Sequence, residues 1–177
     1  YSVVAQTAGK FTIPAYSFES KGKPFSTLPI ELNVVPLSSL HKVRFDYKGE
    51  EIECYSQLFI NKSTLYPSEA TELEYKIYVP RGLNTQSWGH PKAENSFNCT
   101  AWRFEGPSRS SQIKQVIINN SYYETATYTT TLSANKAGDA SFGPLETVLT
   151  IAPGQISSPF GFSRRNQLEL PISTPAQ

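Results

Sequence analysis

Apolar and polar residues alternate with period two along much of this chain, while the 3.6-residue repeat of an amphipathic helix is hard to find. In Glu72-Leu-Glu-Tyr-Lys-Ile-Tyr-Val79, the residues Leu73, Tyr75, Ile77 and Val79 fall on one face. Glu72, Glu74 and Lys76 fall on the other, as a half-buried antiparallel strand requires. Leu28, Ile30, Leu32 and Val34 repeat the pattern, and so do Ala126, Tyr128, Thr130 and Leu132. Further strands are predicted at residues 54–61, 101–105, 112–119, 145–151 and 167–172. The best helical candidate is a turn or so over residues 38–43. Turn signals separate the strands: Pro67, Pro80-Arg-Gly82, Gly106-Pro107, Gly138-Asp139 and Gly143-Pro144. Short strands between such turns predict an all-β fold, an antiparallel immunoglobulin-like β-sandwich. Its expected core is Leu73, Tyr75, Ile77, Trp102, Phe104, Ile117 and Tyr128, with Trp102 and Phe104 on one strand face.

An internal echo sets the expected domain organisation. Thr7-Ala-Gly-Lys-Phe-Thr-Ile-Pro14 is matched by Lys136-Ala-Gly-Asp-Ala-Ser-Phe-Gly-Pro144, a polar-Ala-Gly turn followed by a strand and a proline. Each is followed by an excursion and a closing strand, with a turn at Lys21-Gly-Lys23 in the first and a Gly/Pro/Ser-rich stretch over residues 152–163 in the second. A repeated ending predicts two copies of one module. Residues 1–36 would be the C-terminal part of the first, residues 37–50 a connector with a turn at Lys48-Gly-Glu50, and residues 51–177 the second, nearly complete copy.

Charge narrows the function classes. The 177 residues carry 16 Lys+Arg against 15 Asp+Glu, a net charge of +1. That balance gives neither the basic footprint of a nucleic-acid binder nor a polybasic membrane patch. No apolar run is long enough for a membrane helix. The chain contains no Met and starts with Tyr, so it reads as a processed or excised piece of something longer.

Candidate chemistry is sparse. His41 and His90 are the only histidine bases, and no nucleophile elbow, zinc-protease helix, paired-cysteine motif or phosphate-binding glycine loop occurs. The expectation is a non-enzyme with no catalytic residue, cofactor or metal. Glu72 and Glu74 share a strand face, which is ordinary for a solvated surface. Cys54 and Cys99 allow one intramolecular disulfide, or else are two separate buried thiols. Asn61-Lys-Ser63, Asn98-Cys-Thr100 and Asn119-Asn-Ser121 match the glycosylation acceptor pattern. Trp88, Trp102, Phe104, Tyr122 and Tyr123 could build a sugar-stacking platform, which makes a carbohydrate-binding or adhesive β-sandwich the alternative function. Such a platform needs at least two coplanar exposed rings. Trp102 is assigned to the core, and Trp88, in the turn Trp88-Gly-His-Pro91, is the aromatic expected to be exposed. Partner contact is expected at a sheet edge or the loops of residues 80–91, through Arg81, Trp88 and His90.

Several of these segments resemble the BatD family of bacterial oxygen-tolerance, or aerotolerance, proteins. Leu58-Phe-Ile-Asn-Lys-Ser-Thr-Leu-Tyr-Pro-Ser-Glu69 followed by Glu74-Tyr-Lys-Ile-Tyr78 is similar to the opening of a domain in that family. Val116-Ile-Ile-Asn-Asn-Ser-Tyr-Tyr123, Tyr128-Thr-Thr-Thr-Leu132, Lys136-Ala-Gly138 and Phe142-Gly-Pro144 resemble its closing half. The first copy, from Thr7 through Ile30-Glu-Leu-Asn-Val-Val-Pro36, is the nearest match. Asn119-Asn-Ser121 lacks the family's usual glycine, residues 152–163 look like an insertion, and the two cysteines are not a family feature. The resemblance implies a non-enzymatic protein-interaction module with tandem immunoglobulin-like domains in the periplasm, held in the inner membrane by a segment outside this chain. It also implies protein partners: BatA/BatB proteins with von Willebrand factor A domains, encoded beside MoxR-type ATPases. No catalytic residue carries over.

Overall fold

The computed structural model describes residues 7–34, 36–107, 113–152, 155–157, 163–165 and 167–175. The chain divides into two compact units, Tyr1–Ser39 and Leu40–Gln177. The first holds β1 (Gly9–Ile13), β2 (Ser17–Ser20), β3 (Lys23–Ser26) and β4 (Ile30–Val34), then a 3-10 turn at Leu37–Ser39. The second opens with β5 (His41–Tyr47), β6 (Glu50–Ile60), β7 (Ala70–Pro80) and β8 (Thr85–Trp88). Short strands follow: β9 (Lys92–Ala93), β10 (Ser96–Phe97), β11 (Cys99–Ala101) and β12 (Lys114–Ile118). The rest are β13 (Ser121–Ala134), β14 (Ser141–Phe142), β15 (Leu145–Ile151), β16 (Gln155–Ser157), β17 (Ser163–Arg165) and β18 (Leu168–Thr174). No α-helix occurs among the described residues, and the all-β, antiparallel sandwich expected from the alternation is what forms.

In the second unit the larger sheet runs β11-β13-β7-β6-β5, with β12 also on β13. The smaller one runs β18-β15-β8, with β9 also on β15. Register explains why the core sits between them. Tyr75 pairs with Tyr128 and Ile77 with Ala126, and Leu58 lies on the other side of Tyr75. Directly opposed residues share a face, so Leu73, Tyr75, Ile77, Val79, Ala126, Tyr128 and Leu132 all point one way, and all are buried. Leu145, Leu149, Ile151, Leu170 and Ile172 of the smaller sheet complete the same apolar cluster. At one margin the sheets are joined by polar contacts. Ser56 Oγ on β6 donates to the Ser173 carbonyl on β18 at 3.1 Å, and Thr174 Oγ1 donates to Ser56 Oγ at 2.5 Å.

Two-residue hairpin turns set the register of neighbouring strands. Lys48 and Gly49 join β5 to β6 with φ of 57° and 81°, and Asn119 and Asn120 join β12 to β13 with φ of 48° and 60°. This is the twist-matched hairpin turn that needs left-handed φ at both positions. Asn tolerates that region better than other side-chain-bearing residues, which explains how Asn-Asn stands where a glycine is usual.

Four expectations need correction. Residues 38–43 are not helical beyond the 3-10 turn, and residues 41–47 of the expected connector are β5, an edge strand paired with β6 from His41↔Ser56 to Tyr47↔Glu50. Val43, Phe45 and Tyr47 face the core, while Lys42, Arg44 and Asp46 face outward. The division between the units therefore falls at residues 39 and 40. Ile117 is exposed: it pairs with Tyr122, one position past the Tyr123↔Pro80 pair where β7 ends. Trp102 is 59% exposed while Phe104 is buried. Ala101 pairs with Leu132, yet Glu105 bridges Thr129. One extra residue therefore sits on the 101–105 side, a β-bulge that turns Trp102 and Phe104 to opposite faces. Gln112, the predicted first residue of its strand, lies outside the described residues, as do residues 153–154 and 158–162 of the Gly/Pro/Ser-rich stretch.

The two units share one strand pairing, at an offset other than that of the Ala-Gly turns. β1 pairs with β4 and β15 with β18, both antiparallel. Ile13 pairs with Ile30, and Ile151 with Leu168, an identical 17-residue span. Phe11-Thr-Ile13 thus corresponds to Leu149-Thr-Ile151, and Ile30-Glu-Leu-Asn-Val34 to Leu168-Glu-Leu-Pro-Ile172. Each copy carries a hairpin between its strands, β2–β3 in one and β16–β17 in the other. The Ala-Gly turn at 136–138 is therefore not the counterpart of the one at residues 8–9. The copies differ in cover. Leu149, Ile151, Leu170 and Ile172 are buried, whereas Phe11 is 40% exposed and Ile13, Leu32 and Val34 are half-buried.

Candidate functional site

On the outer face of the larger sheet, beside the bulge, lies a shallow cleft of about 530 Å³. Glu72, Trp102, Arg103, Glu105, Thr129, Thr130 and Thr131 line it. The cross-strand pairs place these side chains in rows: Thr131 opposes Glu72 and Thr129 opposes Glu74, which in turn opposes Phe59. The bulged segment is pinned on both sides. Trp102 N donates to the Thr131 carbonyl at 3.0 Å, and Glu105 and Thr129 exchange backbone hydrogen bonds of 2.8 Å. Thr130 Oγ1 donates to the Trp102 carbonyl at 2.8 Å. The indole therefore projects from a fixed backbone.

The first unit presents a different surface. Tyr16 and Phe18 stack at 6.2 Å and 22°, and Phe18 and Phe25 at 5.6 Å and 17°. Phe18 and Phe25 oppose each other across the hairpin turn at Lys21 and Gly22. All three rings are exposed, between 46% and 68%. The sequence holds the signal for this strip, aromatic residues at i and i+2 and another across a Lys-Gly turn.

Arg81, Trp88 and His90 do not form one cluster. Trp88 is on β8, pairs with Leu149 and packs half-buried against the core, so it is not the exposed ring expected of it. Arg81 and His90 are exposed but flank β8 at its two ends. Part of the expected loop is thus a strand, and the roles of the two tryptophans are exchanged.

Cys54 and Cys99 are free, buried thiols. Cys54 is on β6 and Cys99 on β11, with β7 and β13 between them. Three inter-strand steps of about 4.8 Å each place them far beyond disulfide reach. Cys99 Sγ donates to the Ser141 carbonyl at 3.1 Å. Burial pushes the Cys54 thiol up to about 12 and raises that of Cys99. Both thiols should therefore resist alkylation in the native protein at neutral pH and react on unfolding; a cross-linked Cys54–Cys99 peptide by mass spectrometry would contradict the assignment. Because the folded Cys54 pKa lies above its unfolded value near 9.0, its contribution to stability is complete below about pH 9 and is lost as pH rises towards 12. The loss is at most about 4 kcal/mol.

The remaining polar groups have structural roles. Glu53 accepts from Lys42 Nζ and Arg44 Nε, each at 3.0 Å, and from Tyr55 OH at 2.9 Å. The Lys42 hydrogen bond, then that of Tyr55, holds its carboxyl below the ordinary range. Asn98 Nδ2, the nitrogen a glycan would need, donates to the carbonyls of Lys136 and Asp139 at 3.1 Å. Asn61 and Asn119 are exposed. Among the described residues no three His, Cys, Asp or Glu side chains gather as a metal site. Compared with family models, curated proteins and solved structures, the chain matches none of them.

Proposed function

We propose that this chain is a non-enzymatic protein-interaction module of the BatD type. It works in the periplasm and belongs to a protein held in the inner membrane by a segment outside these 177 residues. The observation that carries the reading is the exposed Tyr16–Phe18–Phe25 strip on the β2–β3 hairpin. Stacked, exposed aromatic side chains on a hairpin are suited to burial against a protein, because rigid rings cover much area at low entropic cost. The repeat supports the modular part. Phe11, Ile13, Leu32 and Val34 occupy positions whose counterparts in the second unit pack beneath a second sheet, as they do in a sandwich array. By resemblance, the partners are BatA/BatB-type proteins with von Willebrand factor A domains in the MoxR-linked system.

A pull-down of the intact chain with the von Willebrand domain protein from the same organism tests this reading. Capture is expected, together with at least a tenfold loss when Phe18 and Phe25 are both changed to Ser. Failure to capture any such protein, or capture indifferent to both substitutions, would overturn the reading.

A further inference from the structure

We propose that the cleft beside Trp102 is a saccharide-binding site, taking a neutral or amine-bearing pyranose of an oligosaccharide. The inference rests on the exposed Trp102 ring and the polar cleft beside it. Cys99 and Ala101 of β11 face inward, so Trp102, the next residue, projects onto the outer face, and the extra residue after it returns Phe104 to the core while Glu105 stays beside Thr129 on the outer face. Bulges are over-represented next to active sites, and this one leaves Trp102 and Glu105 together on the outer face, beside the cleft.

The chemistry around the ring selects the ligand class. A pyranose has an apolar C–H face and a rim of vicinal hydroxyls, each both donor and acceptor. Trp102 alone supplies the flat apolar surface, so this is a cleft with one ring and a polar wall, not a platform of two coplanar rings. Glu72 and Glu105 supply acceptors, Arg103 a fork of donors, and Thr129 and Thr131 hydroxyls that act as either. The volume, about 530 Å³, lies in the range of small-ligand sites. Two carboxylates against one guanidinium leave the lining with a net negative charge, which favours neutral or amino sugars and opposes uronic acids. Because Trp102 and Glu105 are clamped to β13 through backbone bonds, little ordering entropy is lost on binding. The cleft shares no residue with the aromatic hairpin, so the two proposals are tested by different substitutions.

The test is titration of the intact chain, followed by tryptophan fluorescence and calorimetry, with cello-oligosaccharide, chitosan oligosaccharide and oligogalacturonate. The first two are expected to bind with Kd of about 0.1–1 mM, as befits an open site, and the anionic one at least tenfold more weakly. Trp102→Ala should weaken binding at least tenfold with an unchanged melting curve, since the ring is exposed. Glu72→Gln should weaken the chitosan oligosaccharide more than the neutral one. No binding of either favoured probe would overturn the proposal. So would binding of only the cationic probe that survives Trp102→Ala, which would mark unspecific charge attraction.

Discussion

Replacing Tyr128 with alanine is expected to cost about 3–5 kcal/mol, the range for removing a fully buried ring. Tyr128 is 1% exposed, lies 6.0 Å from the Tyr75 ring, and lines the centre of the core between the sheets. Its hydroxyl is buried without a hydrogen-bond partner, and burial raises its pKa. Tyr128→Phe removes that hydroxyl and keeps the ring, so the conservative variant should be as stable as the parent or slightly more so. Urea unfolding of the two variants separates the ring from the hydroxyl. A large loss for Tyr128→Phe would mean that the hydroxyl is satisfied after all.

Gly89→Ala is expected to destabilise by about 1–3 kcal/mol, and bulkier replacements by more. A Cβ at this position would lie 2.3 Å from the Val148 carbonyl oxygen. Gly89 N donates to that same oxygen at 3.2 Å, continuing the β8–β15 pairing past Trp88. The obstacle is backbone of β15, which is held between β18 and β8 and cannot swing away as a side chain would. Gly82→Ala makes a useful contrast. Nothing lies within 4 Å of its Cβ position, but its φ of 106° is strained for any side chain. Thermal melts of both variants should show β8 loosened only by the change at Gly89, as read from Trp88 fluorescence in a Trp102→Phe background.

The strands β7, β13 and β15 were legible because one face of each is buried and the other wet, so period two is written plainly into Leu73–Val79 and its partners. β5 was missed although Val43, Phe45 and Tyr47 alternate correctly, because residues 38–43 were read as a helical turn and residues 37–50 as the connector between two copies. The Trp102 cleft could not be read from the chain. Trp102 follows the inward-facing Ala101 and so points outward, while one inserted residue before Glu105 returns Phe104 to the core, and nothing in Ala-Trp-Arg-Phe-Glu marks where the insertion falls. Trp88 was misplaced for the converse reason. Gly89 and Pro91 suggested a loop, whereas Gly89 is needed for close approach to β15. The repeat was visible, but the Ala-Gly turns drew its alignment to residues 136–144. The backbone pairing instead matches Phe11-Thr-Ile13 with Leu149-Thr-Ile151.

The most direct test of the two-copy architecture is amide hydrogen exchange across the intact chain. β1 and β4 form a two-stranded sheet with exposed or half-buried apolar side chains, and such a ribbon is marginal by itself. Their counterparts β15 and β18 complete a covered sandwich. Amides of β7, β13 and β15 should exchange only through global unfolding, while those of β1 and β4 should exchange at least about 100-fold faster. Equal protection of β1–β4 and β15–β18 would contradict the reading of β1 and β4 as an uncovered counterpart of β15 and β18.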